Sequence, residues 1–456
     1  MNPRFVIRSR RVLVGSEGEP RPSAVVVENG KIAAITEYDA FPAGVETIEG
    51  GDRVLMSGIF DTHAHINEPG RTDWEGFQTA TRAAAAGGIT SVIDMPLNSI
   101  PATTTLSALH VKAETAAGKC AIDYGFWGGV VPGNAAELEP MVKAGALGFK
   151  CFLIESGVDE FPMSTEADLR IAMPILARLG VPLLVHAELD LHRSGGALPP
   201  GKDERSYGAY LESRPPNWEV EAIRMMIRLA RETGCRTHIV HLSASAALAD
   251  LREAKRAGVP ISVETCPHYL YFDAEKIDAG ATHYKCAPPI REHANREALW
   301  AGLRDGTIDF VVSDHSPCSP ALKLASTGDF GKAWGGISGL QFSLSVVWTE
   351  ARKRGFTSRD VSRWMSEGTA IFAGRGSRNG TIAVGKDADL VLWEPEASFR
   401  LKRDMIYHRH AVTPYAEFEF YGKVARTIVR GRTVYADGGF PEAAAIGTQL
   451  KRMPEA

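Results

Sequence analysis

Between residues 4 and 55 apolar and polar positions alternate in short runs, FVIRSRRVLV, SAVVVENGKIAAITE and VETIEGGDRVLM. A period of two puts the apolar side chains of an extended chain on one face, so these runs predict antiparallel β-strands. Asn29-Gly30 marks a hairpin turn, because both residues tolerate the positive φ that a two-residue connection needs. The same texture returns in GTIAVGKDADLVLWE and VARTIVRGRTVYADG. The two ends are therefore expected to pair into one small discontinuous β-sandwich, residues 1–55 with 380–456.

Between these ends the pattern changes. Continuous apolar runs, GITSVIDM, AIDYGFWGG, ALGFKCFL, VPLLVHAE, RTHIVHLS, PISVETC and TIDFVVSD, alternate with stretches of helical period at 74–86, 166–179, 218–233 and 246–257. Strands that are apolar on both faces belong in a parallel sheet covered by helices. The expected class is α/β, with a (β/α)8 barrel over residues 56–379. An open doubly wound sheet is the alternative. The barrel is preferred because ionisable residues stand at the carboxyl ends of many successive strands and are not gathered at one switch point.

Composition narrows the classes of function. The length of 456 residues accommodates a barrel and a smaller module, and 44% hydrophobic with 23% charged residues supplies a large core. A formal net charge of −4 draws the molecule neither to nucleic acid nor to an anionic membrane. No apolar run is long enough to span a bilayer, and charge interrupts the first residues before a signal-peptide core could form, so a cytoplasmic protein is expected. Cys120, Cys151, Cys235, Cys266, Cys286 and Cys318 lack the close pairing of a zinc ribbon or redox dithiol and read as reduced thiols. Cys266-Pro267-His268 resembles a fragment of a metal site without partners at ligand spacing.

The chemistry gathers at the strand ends. His63 and His65, one residue apart in DTHAH, face the same side of an extended strand and could approach one metal ion. His186 closes VPLLVHAE, His241 closes THIVHLS and Asp314 closes TIDFVVSD. Singly, each could be a polar group satisfied by backbone. At one end of one barrel, together, they would be a costly cluster unless something cationic bound there. His238 is out of phase with His241 and reads as structural, or as a support for a ligand. Lys150 in GFKCF is harder to place, because an ammonium has only donors and cannot ligate a cation. The plainer reading is a strand-end lysine reaching to solvent. The other is an amine, deprotonated by burial and nearby positive charge, that takes up carbon dioxide to form a carbamate.

Residues 61–76, DTHAHINEPGRTDWEG, closely resemble the metal motif of the cyclic amidohydrolases in its allantoinase form. AAAAGGITSVIDMPLNSIPATTT, GFKCF, VHAE, HLS, ETCPHYL, KCAPPIR and SDHSPC continue that likeness in order along nearly the whole chain. The resemblance implies a barrel inserted in a β-sandwich and two divalent metal ions, commonly zinc, with cobalt, manganese or iron suited to the same donors. It implies that His63, His65 and Asp314 hold one ion and His186 and His241 the other, with N6-carboxylated Lys150 bridging them. Asp314 would also be the catalytic acid and base. Dihydroorotases, by resemblance, place an arginine where this chain has Asn67, which disfavours an anionic ring. The expected reaction is opening of the hydantoin ring of allantoin to allantoate. Dihydroorotase, hydantoinase or dihydropyrimidinase activity, and a non-catalytic scaffold, are the alternatives. Asn67, Arg71, Ala287 and Ser338 are the expected contacts to a small cyclic ureide, the last two from the segments Cys286-Ala287-Pro288-Pro289 and Gly336-Ile337-Ser338-Gly339. The resemblance also implies a homo-oligomer, a tetramer. His408 and His410 read as surface or structural residues.

Overall fold

The computed structural model describes residues 4–191, 194–441 and 445–452. The N-terminal segment forms β1 (Phe5–Val12), β2 (Arg21–Glu28), β3 (Lys31–Thr36), β4 (Glu46–Glu49) and β5 (Val54–Ser57). The predicted hairpin joins β2 to β3, with Glu28 opposite Lys31 and with Asn29 and Gly30 at φ 53° and 78°. β4 and β5 lie parallel to β1, and β1 is antiparallel to β2. Alternation in β1 sends Phe5 and Ile7 into one apolar cluster and Val6 into another, so both faces of the sheet are covered.

The chain then enters a parallel series: β6 (Ile59–Ala64), β7 (Ile89–Asp94), β8 (Asp123–Phe126) continued by β9 (Gly128–Gly129), β10 (Phe149–Phe152), β11 (Leu183–His186), β12 (Thr237–Ile239), β13 (Ile261–Thr265) and β14 (Phe310–Val311). Each pairs in parallel with its neighbour within two runs, β6-β7-β8 and β9 to β14. The seam closes where Ala64 bridges His315 and His65 N donates to His315 O at 2.8 Å. This is the expected (β/α)8 barrel, and its closure sets the end of β6 beside the end of β14. Full burial of side chains such as Phe60, Ile93, Phe149 and Val185 stabilises the fold by about 1.5–3 kcal/mol each. Gly128 and Gly129 are required by close approach: a Cβ there would collide with the rings of Phe149 and Phe161. Without one, β9 comes close enough to β10 for Val130 N to donate to Lys150 O at 2.8 Å.

The helices fall near their predicted spans, and local chemistry sets their ends. Glu166–Leu179 starts at Thr165, whose hydroxyl accepts from Asp168 N, and stops at Gly180 with φ 65°. The stretch predicted from 74 begins only at Phe77, because Gly76 is extended. The one predicted at 246–257 becomes Leu248–Arg256 after a short 3-10 turn.

After the barrel, β15 (Leu390–Arg400), β16 (Glu419–Val429) and β17 (Arg432–Ala436) return to the first sheet. β15 pairs antiparallel with β5, Leu390 opposite Ser57, giving the order β17-β16-β15-β5-β1-β2-β3 with β4 beside β1. The final described residues lie along β8: Leu450 N donates to Tyr124 O at 2.6 Å and Thr448 N to Asp123 Oδ1 at 2.7 Å. Among the described residues no helix is long and apolar enough to cross a membrane.

Candidate metal centre

The barrel brings His63, His65, Lys150, His186, His241 and Asp314 to the carboxyl end of its strands, all within a few per cent of complete burial. His63 and His65 end β6, and Asp314 follows β14 across the seam. Asp61 ties these elements together: its carboxylate accepts from His63 N at 3.0 Å and from Ser313 N at 3.2 Å. One ligand atom each from His63, His65 and Asp314 lies within 4.8 Å of the others. Asp314 Oδ1 stands 3.2 Å from His63 Nε2 and 3.5 Å from His65 Nε2. His241 joins them, with ring centroids 5.4 Å from His63 and 4.6 Å from His186. His241 and Asp314 hold left-handed backbones, φ 39° and 42°, a conformation uncommon for such residues and concentrated at functional sites.

Buried carboxylates aim the histidines. His63 Nδ1 meets Glu264 Oε1 at 2.5 Å, and the other oxygen of Glu264 meets His238 Nε2 at 3.0 Å. His186 Nε2 meets Glu188 Oε2 at 2.8 Å, and Arg214 donates to the same oxygen at 2.7 Å. A carboxylate only accepts, so each pair fixes a tautomer and leaves the opposite ring nitrogen for the cluster. Burial lowers His65 to about 4 and holds His186 and His241 well below the ordinary imidazole range. Burial acts on His63 as well, but Asp314 and Glu264 outweigh it and raise its pKa. Burial opposes ionisation of Glu264, yet His63 and His238 hold it at about 2.

Lys150 points inward. Its Nζ lies 3.8 Å from the centroid of the Phe152 ring and makes one long contact, 3.4 Å, to Cys151 O. Burial lowers it to about 7, so neutral amine is present near physiological pH. The solvent-reaching alternative is therefore not the conformation adopted.

These groups open into a cavity of about 310 Å³, a size suited to a small ligand. Asn98, Arg214, Lys285, Ala287, Trp334 and Gly336 contribute to its walls. Lys285 donates to Ala333 O at 2.6 Å and Gly331 O at 3.2 Å, and buried Lys323 donates to the carbonyls of Trp334 and Gly336, so two lysines hold the 331–336 loop. A larger groove near Tyr271, about 660 Å³, is walled by ion pairs such as Arg354 with Glu350 and holds none of these histidines.

The profile of the amidohydrolase family matches residues 54–434. The chain belongs to the amidohydrolase family. Among curated relatives, this amidohydrolase is 49% identical to an allantoinase of Streptomyces avermitilis, covering 99% of each chain. It is 44% identical to an allantoinase of Arabidopsis thaliana, over 94% of this chain and 87% of the relative. Among solved structures, an L-hydantoinase (dihydropyrimidinase) from Arthrobacter aurescens superposes with a TM-score of 0.91 at 29% identity, covering 98% of this chain and all of the other. A dihydropyrimidinase from Brevibacillus agri does so with 0.88 at 28% identity, covering 99% of each.

The donors of this amidohydrolase fit a metal centre on their own chemistry. Among the described residues His63 Nε2, His65 Nδ1 and His241 Nδ1 are buried without a hydrogen-bond partner, an expense that a bound cation removes. Cys266, His268 and Asp314 form a second close group, and both ring nitrogens of His268 lack partners.

The expected substrate contacts divide. Ala287 lines the cavity, while Asn67, Arg71 and Ser338 stand outside its wall. Asn67 donates to Pro317 O at 3.1 Å, Arg71 to Asn98 O at 2.8 Å, and Ser338 O accepts from Thr413. Arg71 and the amide nitrogen of Asn67 are engaged in holding loops and Ser338 is engaged through its backbone carbonyl, while among the described residues Asn67 Oδ1 is buried without a hydrogen-bond partner. Glu264, Glu188 and Asn98 escaped the sequence reading. A carboxylate within the apolar run ISVET was the available signal for Glu264, since burying one is costly unless it is paired. His410 is half-buried and meets Asp73 O at 2.6 Å. His408 is buried, its ring centroid 5.5 Å from that of His315.

Proposed function

We propose that this protein hydrolyses the hydantoin ring amide of allantoin to give allantoate. The observation that carries the reading is the convergence of four histidines, one aspartate and one inward lysine on a cavity of about 310 Å³. The naming of the 49% identical relative as an allantoinase supports the ring chosen.

In this reading His63, His65 and Asp314 would hold one divalent cation, His186 and His241 would hold a second, and N6-carboxylated Lys150 would serve both, with zinc the first choice. Such a pair, when bound, makes water a usable nucleophile at neutral pH and polarises the scissile carbonyl. Glu264 and Glu188 keep His63 and His186 in the tautomers that face the cluster. Asp314 accepts the proton of the attacking water and returns it to the departing ring nitrogen as the C–N bond breaks. Ser316 Oγ donates to Asp314 Oδ1 at 2.7 Å and orients that carboxylate.

The wider arrangement follows the same reading. Residues 1–55 with 380–456 serve as the β-sandwich and 56–379 as the catalytic barrel, in a homo-oligomer of four subunits. Six unpaired, buried cysteines suit a reducing, cytoplasmic setting.

The test is hydrolysis of allantoin, dihydroorotate and unsubstituted hydantoin at equal concentration by the purified, metal-loaded protein. Allantoin is expected to be turned over fastest. Preference for another ring would overturn the substrate, and absence of turnover on all three with metal bound would overturn the reading as a whole.

A further inference from the structure

We infer that Asn98 reads the ureido substituent of the substrate through its carboxamide, and that Arg71 is the positioning residue that presents it. The inference rests on the allantoin reading and assigns the specificity of the same cavity.

Asn98 lines the cavity and is 7% exposed, yet its side-chain amide makes no hydrogen bond among the described residues. Most of the other polar walls are committed, and exposed Glu155, a carboxylate, only accepts. Arg214 donates to Glu188, Lys285 to Ala333 O, Tyr210 to Cys286 O and Ser316 to Asp314. Asn98 is also held firmly. Its backbone is left-handed at φ 72°, a conformation that asparagine tolerates better than most residues. Its carbonyl accepts from Arg71 Nη1 at 2.8 Å. Arg71 is fixed in turn by its ion pair with Glu160 and by the Trp74 ring, 5.2 Å from the guanidinium. Every contact of this assembly fixes the backbone and leaves the carboxamide unspent.

A primary carboxamide offers one acceptor and two donors side by side. A monosubstituted urea presents the same pair reversed, so the two groups close a ring of two antiparallel N–H···O=C bonds without any charge. Unsubstituted hydantoin offers nothing to this group and leaves it to water, so only the ureido-bearing ring gains the two bonds.

The test compares kcat/KM for allantoin and for unsubstituted hydantoin in the metal-loaded wild type, Asn98→Gly, Asn98→Asp and Arg71→Gln, with bound metal measured in each. Asn98→Gly removes the amide and accepts the left-handed backbone without strain. It is expected to lower kcat/KM for allantoin by about 10- to 100-fold, the worth of two hydrogen bonds, and to change that for hydantoin by less than about 3-fold at unaltered metal content. Asn98→Asp keeps the shape, loses the donors and should be similarly selective. Arg71→Gln should show a smaller loss of the same selectivity, which a purely structural role would not produce. A wild-type preference for allantoin that survives in both Asn98 variants overturns this inference alone. Equal losses on both rings also overturn it. A wild type with no preference for allantoin overturns the substrate reading and this inference with it.

Discussion

His63 Nδ1 lies 2.5 Å from Glu264 Oε1, with both side chains within 1% of complete burial. The pair joins β6 to β13 and leaves His63 Nε2 directed at Asp314. Because Glu264 is also held by His238 on its second oxygen, the imidazole has one orientation and one tautomer. Such a carboxylate tunes a ligand without touching the ion. Glu264→Gln is therefore expected to weaken metal binding by about 10- to 100-fold with the fold retained, as read by metal titration against a competing chelator. Wild-type affinity in the variant would rule out the supporting role.

Lys150 is the ligand candidate that must change chemically before it can serve. Lys150→Ala should lower bound metal and activity together. Short carboxylic acids that enter the vacated space should restore part of both, because they resupply the oxygens of the carbamate. Full metal content without the lysine would remove the case for a bridge.

Asp314→Asn offers a clean separation of structure from chemistry. Asparagine tolerates the φ of 42° found here, keeps the shape and cannot take up the proton. Turnover should fall by roughly 100- to 10,000-fold while the thermal transition stays near that of the wild type. Activity within a few-fold of wild type would reject the proton-transfer role.

Asp94 and Lys112 provide a pH-dependent test at a pair that is not itself among the proposed ligands. Lys112 Nζ lies 2.5 Å from Asp94 Oδ2, both groups being buried, and Asp94 Oδ1 accepts from Ile66 N at 2.6 Å beside His65. Lys112→Met strands a buried carboxylate and should cost about 3–5 kcal/mol at neutral pH. Burial raises Asp94 to about 6 in the folded protein, above about 3.9 for the unfolded chain. The folded state thus binds this proton more tightly, and the contribution of the group to stability rises as pH falls from about 6 to about 4. Removing the lysine raises the upper end of that window. Urea unfolding at pH 5 and pH 7 should show a smaller gap between variant and wild type at the lower pH. A gap that does not change with pH would contradict it.

The parts legible in the sequence were those that periodicity and strand ends control. The apolar runs became the barrel, and His186, His241 and Asp314 stand where those runs end. Glu264 and Glu188 were not legible as supports, since their partners are chosen by barrel closure and loop course, and neither leaves a periodic trace. Arg71 has the reach and charge of a substrate contact, but an ion pair with Glu160 claims it first. Asn98 gains its place from a left-handed turn that no hydrophobic pattern specifies. His408 sits in the polar run HRHAVTPY, and it is buried because that run folds its ring between His315 and Phe342.

The pairing of β5 with β15 sets an order of events at the ribosome. Ser57 must wait for Leu390 before its strand acquires that neighbour, and at roughly 5–20 residues per second the interval is on the order of 20–60 s. During it the outer edge of β5 is uncovered, and whatever shields nascent strands from one another has to act on this end of the chain first. A circular permutant that links the segment after β17 to β1 and opens a surface loop of the barrel would make β15 to β17 contiguous with β1 to β5. It would bring that sheet together within one short stretch of synthesis and move the delay onto the barrel.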